Sequence, residues 1–244
     1  MSEVDPRVAA GLKTQLAGRK RLLLSNVRHI GWKMAFGAPK MMERLRLSAP
    51  APGYLTDRTL LENGSSVSIT GWSGPVVEFE IALLIGVDVP AGADPARARA
   101  AIDGIAPAIE LADVDLPLTP EGVADIVAGN IFHRGVILGE PSFGRPGADL
   151  TGLTATIDAT AGPTSDGPTS DGGTRTEVTD FEALTGEYGS VVAAAADALA
   201  GNGARLKAGD VIIGGSIVPP MMVTEPATFT YTLAGFPALT LSLV

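Results

Sequence analysis

Cysteine is absent from the 244 residues, which excludes disulfides, thiolate nucleophiles and zinc-thiolate sites and leaves the compartment undecided by redox chemistry. Only two histidines occur, His29 and His133, too few for a histidine-rich zinc centre. A basic excess is also missing. Against 27 Asp and Glu stand 18 Lys and Arg, and the formal charge of -9 repels phosphate backbones and anionic lipid, so neither nucleic acid nor a membrane surface is an expected partner. The apolar stretch Ile81 to Ile85 stops at Gly86-Val87-Asp88, far short of a bilayer span. Near the amino terminus, Glu3, Asp5 and Arg7 precede only the brief Leu22-Leu23-Leu24 run, which is no signal peptide, so the expected location is cytoplasmic. There is no P-loop, no G-x-G-x-x-G opening a helix and no G-x-S-x-G elbow, which removes the main support for nucleotide-binding and serine-hydrolase readings. What remains is a chain that is 45% hydrophobic, able to bury a sizeable core and suited to a small-molecule ligand.

Periodicity organises that chain into one domain with an N-terminal helical extension. Val8, Leu12 and Leu16 recur at i, i+4 and i+8 from Asp5 to about Arg21, which predicts an amphipathic helix serving as a lid or packing arm. A buried strand is expected over 31–37, a short helix after Pro39, and a hairpin turning at Asn63-Gly64 between residues 59–61 and 67–69. Val76 to Ile85 is the strongest strand of the first half. A helix from Asp94 to Ile105, a strand ending at Asp113 and a helix opening near Thr119-Pro120-Glu121 follow. From Leu153 the pattern is mostly β, broken by one alanine-rich helix, and its short strands and glycine turns point to a closed or nearly closed sheet. Residues 162–173, GPTSDGPTSDGG, form a tandem repeat that cannot pack a core and reads as a solvated hairpin tip.

The chemistry concentrates on three segments. Period two places Glu78, Glu80 and Ala82 on one face of their strand, and two carboxylates side by side on an apolar strand call for a cation between them. Hard oxygen ligands suit Mg²⁺, Mn²⁺ or Ca²⁺, and a third carboxylate from the next strand completes a three-oxygen face. Asp113, at the end of an apolar strand, is the expected third ligand. Asp115 and Glu110 compete for the role; if Asp113 points inward, Glu110 lies on the opposite face and reads as a supporting partner. The bland alternative is a half-exposed strand whose glutamates meet solvent. Lys33 is alone among the five lysines in lying on an apolar strand, where it either snorkels to water or serves as a substrate's charge partner or proton donor. His133 and Asn130 share a helix-to-strand loop, a usual place for acid–base and binding groups, whereas His29 reads equally well as a surface residue. Gly214-Gly215-Ser216, after Val211-Ile212-Ile213, places N–H groups and a hydroxyl at a strand end.

In order along the chain, Gly31-Trp32-Lys33-Met34, Val77-Glu78-Phe79-Glu80-Ile81-Ala82, Pro107-Ala108-Ile109-Glu110-Leu111-Ala112-Asp113 and the run from Lys207 to Ser216 resemble the fumarylacetoacetate hydrolase superfamily, in particular its 2-keto-4-pentenoate hydratase-like branch. The resemblance extends from about residue 20 to the C-terminus. It implies an α+β fold, a mixed β-roll, with an N-terminal helical extension over 1–30 and a metal-binding catalytic domain over 31–244. It further implies Mg²⁺ or Mn²⁺ held by Glu78, Glu80 and Asp113, with Lys33 and His133 as catalytic residues, Asn130 and Ser216 near the substrate, and a homo-oligomer. The implied reaction is hydration of a short 2-hydroxydienoic or 2-oxoenoic acid such as 2-hydroxypenta-2,4-dienoate through a metal-chelated enolate. Decarboxylation of an oxalocrotonate-type acid, carbon–carbon hydrolysis of an acylpyruvate, or binding of an oxoacid without catalysis are the alternatives. Where hydratases of the branch carry small residues after the third ligand, this sequence has Phe132 and His133, which narrow the pocket or replace a proton carrier.

Overall fold

In a computed structural model, which describes residues 4–160 and 173–244, the strands divide between two mixed sheets instead of closing into one. The larger has the order β2-β1-β10-β5-β6-β7-β3 and is built from β1 (His29–Ala35), β2 (Ala51–Thr56), β3 (Leu60–Leu61), β5 (Pro75–Ile85), β6 (Ile102–Asp113), β7 (His133–Leu138) and β10 (Val211–Ser216), with β11 (Met221–Met222) added alongside β5. The smaller runs β4-β13-β12-β8-β9 and comprises β4 (Ser66–Val67), β8 (Ala155–Ala159), β9 (Thr174–Val178), β12 (Ala227–Leu233) and β13 (Leu239–Leu243). Among the described residues, five α-helices complete the α+β arrangement: α1 (Pro6–Leu23), α2 (Pro39–Leu45), α3 (Pro95–Ala100), α4 (Val123–Ala128) and α5 (Tyr188–Ala200). The repeat at 162–173 falls, except for Gly173, outside the described residues.

The long antiparallel pair β5/β6 is the spine. Val77, Phe79 and Ile81 point from one face of β5 into the main core, where Phe79 meets Phe229 and Tyr231 of β12 with ring centroids 5.8 Å apart in each pair. Period two then turns Glu78 and Glu80 to the other face. The two faces of one strand thus do separate work: the odd residues join the sheets and the even ones build a polar site.

Two elements differ from expectation. Asn63-Gly64 does not join a hairpin, because β3 pairs in parallel with β7 while β4 pairs in parallel with β13 of the other sheet. The Asn63 side chain bonds the backbone of Ala238 and Thr240, so this turn passes the chain between sheets. The helix expected to reach Ile105 stops at Ala100. Ile102 and Ile105, both buried, are hydrogen-bonded strand residues of β6, and that pairing overrides the helical propensity of the alanine-rich approach. The N-terminal helix packs as an arm: Val8 and Leu12 share a core with Val123, Ile126 and Val127 of α4, and buried Gln15 donates to the carbonyls of Pro52 and Val127.

Candidate functional site

Register decides which acids meet. In β5/β6, Glu78 lies opposite Glu110, Glu80 opposite Ala108 and Pro75 opposite Asp113. Even residues of β6 therefore share the face of Glu78 and Glu80, and odd ones face away. Glu78, Glu80 and Glu110 each bring a carboxylate oxygen within 4.8 Å of the others.

Asp113, expected as the third acid, stands outside this group. Its Oδ1 accepts from the N–H groups of Ser73 and Gly74 at 2.8 Å each, and its Oδ2 from Arg134 at 2.9 Å. Burial works against its charge, but these donors hold the carboxyl below the usual range. Asp115 lies 3.7 Å from the same Arg134. Both acids brace the end of β6 instead of facing the site.

Lys33 of β1, 3% exposed, reaches across the sheet. Its Nζ is ion-paired with Glu110 Oε1 and donates to the Ile131 carbonyl at 3.1 Å. That carbonyl is aimed by an unusual turn: Asn130, Ile131 and Phe132 have φ of 64°, 49° and 63°, a left-handed run that strains a β-branched residue such as Ile131. Glu80 Oε2 accepts from the Gly215 N–H at 2.6 Å, and Gly215 needs no side chain at its φ of 108°. Glu110 Oε2 has no hydrogen-bond partner although it is buried.

Burial opposes the Lys33 ammonium, yet the charges of Glu110 and then Glu78 outweigh it and raise its pKa, so the side chain stays protonated. Glu110 is likewise penalised by burial but held below its ordinary value by Lys33 and His133. Burial and the charge of Glu110 push Glu78 up to about 7 against the pull of Lys33. Glu80 is driven well above the carboxylate range by burial, Glu110 and Glu78, with the Gly215 N–H opposing. Three acids share one lysine, which is too little positive charge for all of them to ionise.

Three expected site residues spend their side-chain hydrogen bonds on the protein itself. His133 is sealed behind Glu110, with Nδ1 at 2.7 Å from Glu110 Oε1 and Nε2 at 2.9 Å from Thr59 Oγ1. It is absent from the cavity wall, so its geometry is that of a positioning residue for Glu110, not of a proton carrier touching substrate. Asn130 uses its amide on Tyr54, accepting from the N–H at 2.7 Å and donating to the carbonyl at 3.1 Å, which clamps the left-handed turn to β2. Ser216 does line the cavity, but its hydroxyl bonds the backbone N–H and carbonyl of Phe79. His29 lies elsewhere, 3.3 Å from Asp210.

A cavity of about 280 Å³ opens over Lys33 and Glu78. Its walls include Phe36, Met41, Leu118, Phe132, Leu184 and Met222. A charged floor beneath apolar walls matches the usual build of a small-molecule site. The donor set fits a hard divalent cation: three carboxylates converge and a buried Glu110 oxygen lacks a partner. Thr59 was missed, and Glu110 was taken for a supporting partner on the far face, since strand pairing and the return of the 57–59 turn beneath β7 leave no mark in one sequence. The spacing Glu110-x-x-Asp113, which puts the two acids on opposite faces, was the available signal.

The family model described as fumarylacetoacetate (FAA) hydrolase C-terminal matches residues 24–243. The chain belongs to this family. Among curated relatives, a 4-oxalocrotonate decarboxylase from Pseudomonas sp is 27% identical over 204 residues, covering 81% of this chain and 73% of the relative. A 2-hydroxyhexa-2,4-dienoate hydratase from Comamonas testosteroni is 26% identical over 214 residues, 86% of this chain and 76% of the relative. Among solved structures, the 4-oxalocrotonate decarboxylase of Pseudomonas putida G7, complexed with magnesium and adipate, superposes with a TM-score of 0.76 at 21% identity, covering 94% of this chain and 83% of that one. The fumarylpyruvate hydrolase of Pseudomonas aeruginosa, in complex with Mn²⁺ and pyruvate, gives 0.58 at 12% identity with 89% coverage of each. These FAA hydrolase-type relatives are enzymes acting on small organic acids.

Proposed function

We propose that this chain is a divalent-cation-dependent lyase that adds water to a short 2-hydroxydienoic or 2-oxoenoic acid. The observation that carries the reading is the grouping of Glu78, Glu80 and Glu110 around a buried lysine, with Glu78 and that lysine reaching the floor of an apolar cavity. The hydratase and decarboxylase relatives support it, as do the magnesium and Mn²⁺ in the related structures. Mg²⁺ and Mn²⁺ suit the oxygen donors equally.

Glu78, Glu80 and Glu110 would hold the cation, which supplies positive charge where a 2-oxo oxygen becomes negative during enolisation. Lys33 is the one cationic side chain among the described residues lining the cavity, so its protonated Nζ is assigned delivery of the proton to carbon in the enol-to-oxo shift, the enol proton then restoring the ammonium. Glu110 and the Ile131 carbonyl fix that nitrogen, and His133, tied to Thr59, fixes Glu110. The apolar walls keep bulk solvent from the activated acid.

The test is incubation of Mg²⁺- or Mn²⁺-loaded protein with 2-hydroxypenta-2,4-dienoate, 4-oxalocrotonate and fumarylpyruvate, with products resolved by mass. Water addition to the dienoate, lost in Lys33→Met and in Glu80→Gln, is the expected result. Loss of carbon dioxide or carbon–carbon scission as the dominant reaction, or no turnover of any of the three, overturns the reading.

A further inference from the structure

We infer that the acid bound in this cavity is a monocarboxylate with an uncharged hydrocarbon tail, and that dicarboxylic acids are selected against. The inference rests on the proposed function for the head of the substrate and adds the chemistry of its far end. Two relatives mark the choice: oxalocrotonate has a carboxylate at each end, whereas a hexadienoate ends in a methyl group.

The charged residues among those lining the cavity are Lys33 and Glu78. Lys33 is already committed to Glu110 and the Ile131 carbonyl, and a lysine beside three carboxylates has no surplus charge for a second anion. The hydroxyls are committed too. The single Thr185 hydroxyl proton has the carbonyls of Gly186 and Phe181 to donate to, at 2.9 and 3.2 Å, and Ser216 Oγ is bonded to the backbone of Phe79. The other side chains of the wall are hydrocarbon, including Met41, Leu118, Phe132, Leu184, Val218 and Met222, while Gly37, Gly214 and Gly215 contribute backbone alone. Arg44 bonds the Leu118 carbonyl through Nε but does not itself line the cavity. A second carboxylate entering here would leave water without a cationic or hydroxyl side chain free to replace it, a costly kind of burial. A methyl or longer alkyl end would instead gain from leaving water, by about fourfold in affinity for each buried methylene.

The experiment separates this from the choice of reaction by measuring binding as well as turnover. Protein saturated with Mg²⁺ is titrated calorimetrically with pyruvate, 2-oxobutanoate, 2-oxohexanoate and 2-oxoadipate, the last replacing the terminal methyl of 2-oxohexanoate by a carboxylate. Affinity should climb along the three monocarboxylates, and 2-oxohexanoate should bind at least about tenfold more tightly than 2-oxoadipate. Met222→Lys, at a rim position 46% exposed and therefore tolerant of charge, should narrow that ratio. Equal or tighter binding of 2-oxoadipate overturns the inference, and so does a ratio that Met222→Lys leaves unmoved. The measured binding order combined with absence of water addition to any dienoate would sink the proposed reaction while upholding the tail preference. Failure of all four acids to bind removes both.

Discussion

At the residue scale, the point that matters most is which acid of β6 joins Glu78 and Glu80. Lys33 and the two strand glutamates were legible in the sequence because an ionisable residue inside an apolar run is conspicuous wherever the strand sits. Glu110 was named but its face was not legible, since period two orders residues along one strand but says nothing of which parity its neighbour presents. The pairing of Glu78 with Glu110 supplies that missing fact. It also separates two substitutions that change little in size. Glu110→Gln should weaken Mg²⁺ binding by more than the roughly 10–100-fold that follows loss of an outer partner, because a ligand itself is neutralised. Asp113→Asn should leave Mg²⁺ affinity nearly unchanged and lower stability by about 1–3 kcal/mol, since it weakens the charged acceptor of Ser73, Gly74 and Arg134. Calorimetric titration and thermal melts of both variants check this. The reverse pattern, with Asp113→Asn losing the cation, would return Asp113 to the ligand set.

At the element scale, the helices and long strands were readable from periodicity and proline punctuation, whereas their partners were not. α1 shows the difference. Its apolar spacing announced an amphipathic helix, but only the fold shows that it crosses α4 so closely that a Cβ on Gly11 would lie 2.5 Å from the Ala124 carbonyl oxygen and 2.6 Å from Val127 Cβ. The Asn63-Gly64 turn shows the opposite failure: the local turn signal was sound, and the long-range pairing of its flanks to different sheets is invisible to neighbouring residues. The α1/α4 contact matters for the site because Val127 O accepts from Gln15, and α4 leads directly into the left-handed turn that aims the Ile131 carbonyl at Lys33. Gly11→Ala should therefore separate the helices and cost about 1–3 kcal/mol as an overpacking defect. Thermal denaturation measures the loss, and a variant as stable as the parent would show that α1 adjusts without strain.

At the scale of the whole molecule, a site of three acids and one lysine sets how stability depends on pH and on a cation. Glu78 has a folded-state pKa of about 7, raised above its unfolded value near 4.5, and Glu80 is shifted in the same direction. A raised carboxyl contributes stability that is fully present below the unfolded pKa and is lost as pH climbs through the folded one. Glu110 has the opposite sign, being lowered, so its contribution is already in place above about pH 5. Lys33, raised above 10.5, stays protonated and constant through this window. The net expectation for cation-free protein is a melting temperature that falls between about pH 5 and pH 8, with a loss of at most about 3 kcal/mol from Glu78. A divalent cation binds the ionised acids, so its affinity rises over the same interval as protons are released. Added Mg²⁺ at fixed concentration should then raise the melting temperature more at pH 8 than at pH 5, through mass action on the folded state. Differential scanning calorimetry at the two pH values, with and without Mg²⁺, reads this directly. A larger Mg²⁺-induced shift at pH 5 would mean that the three carboxylates are not what the cation binds.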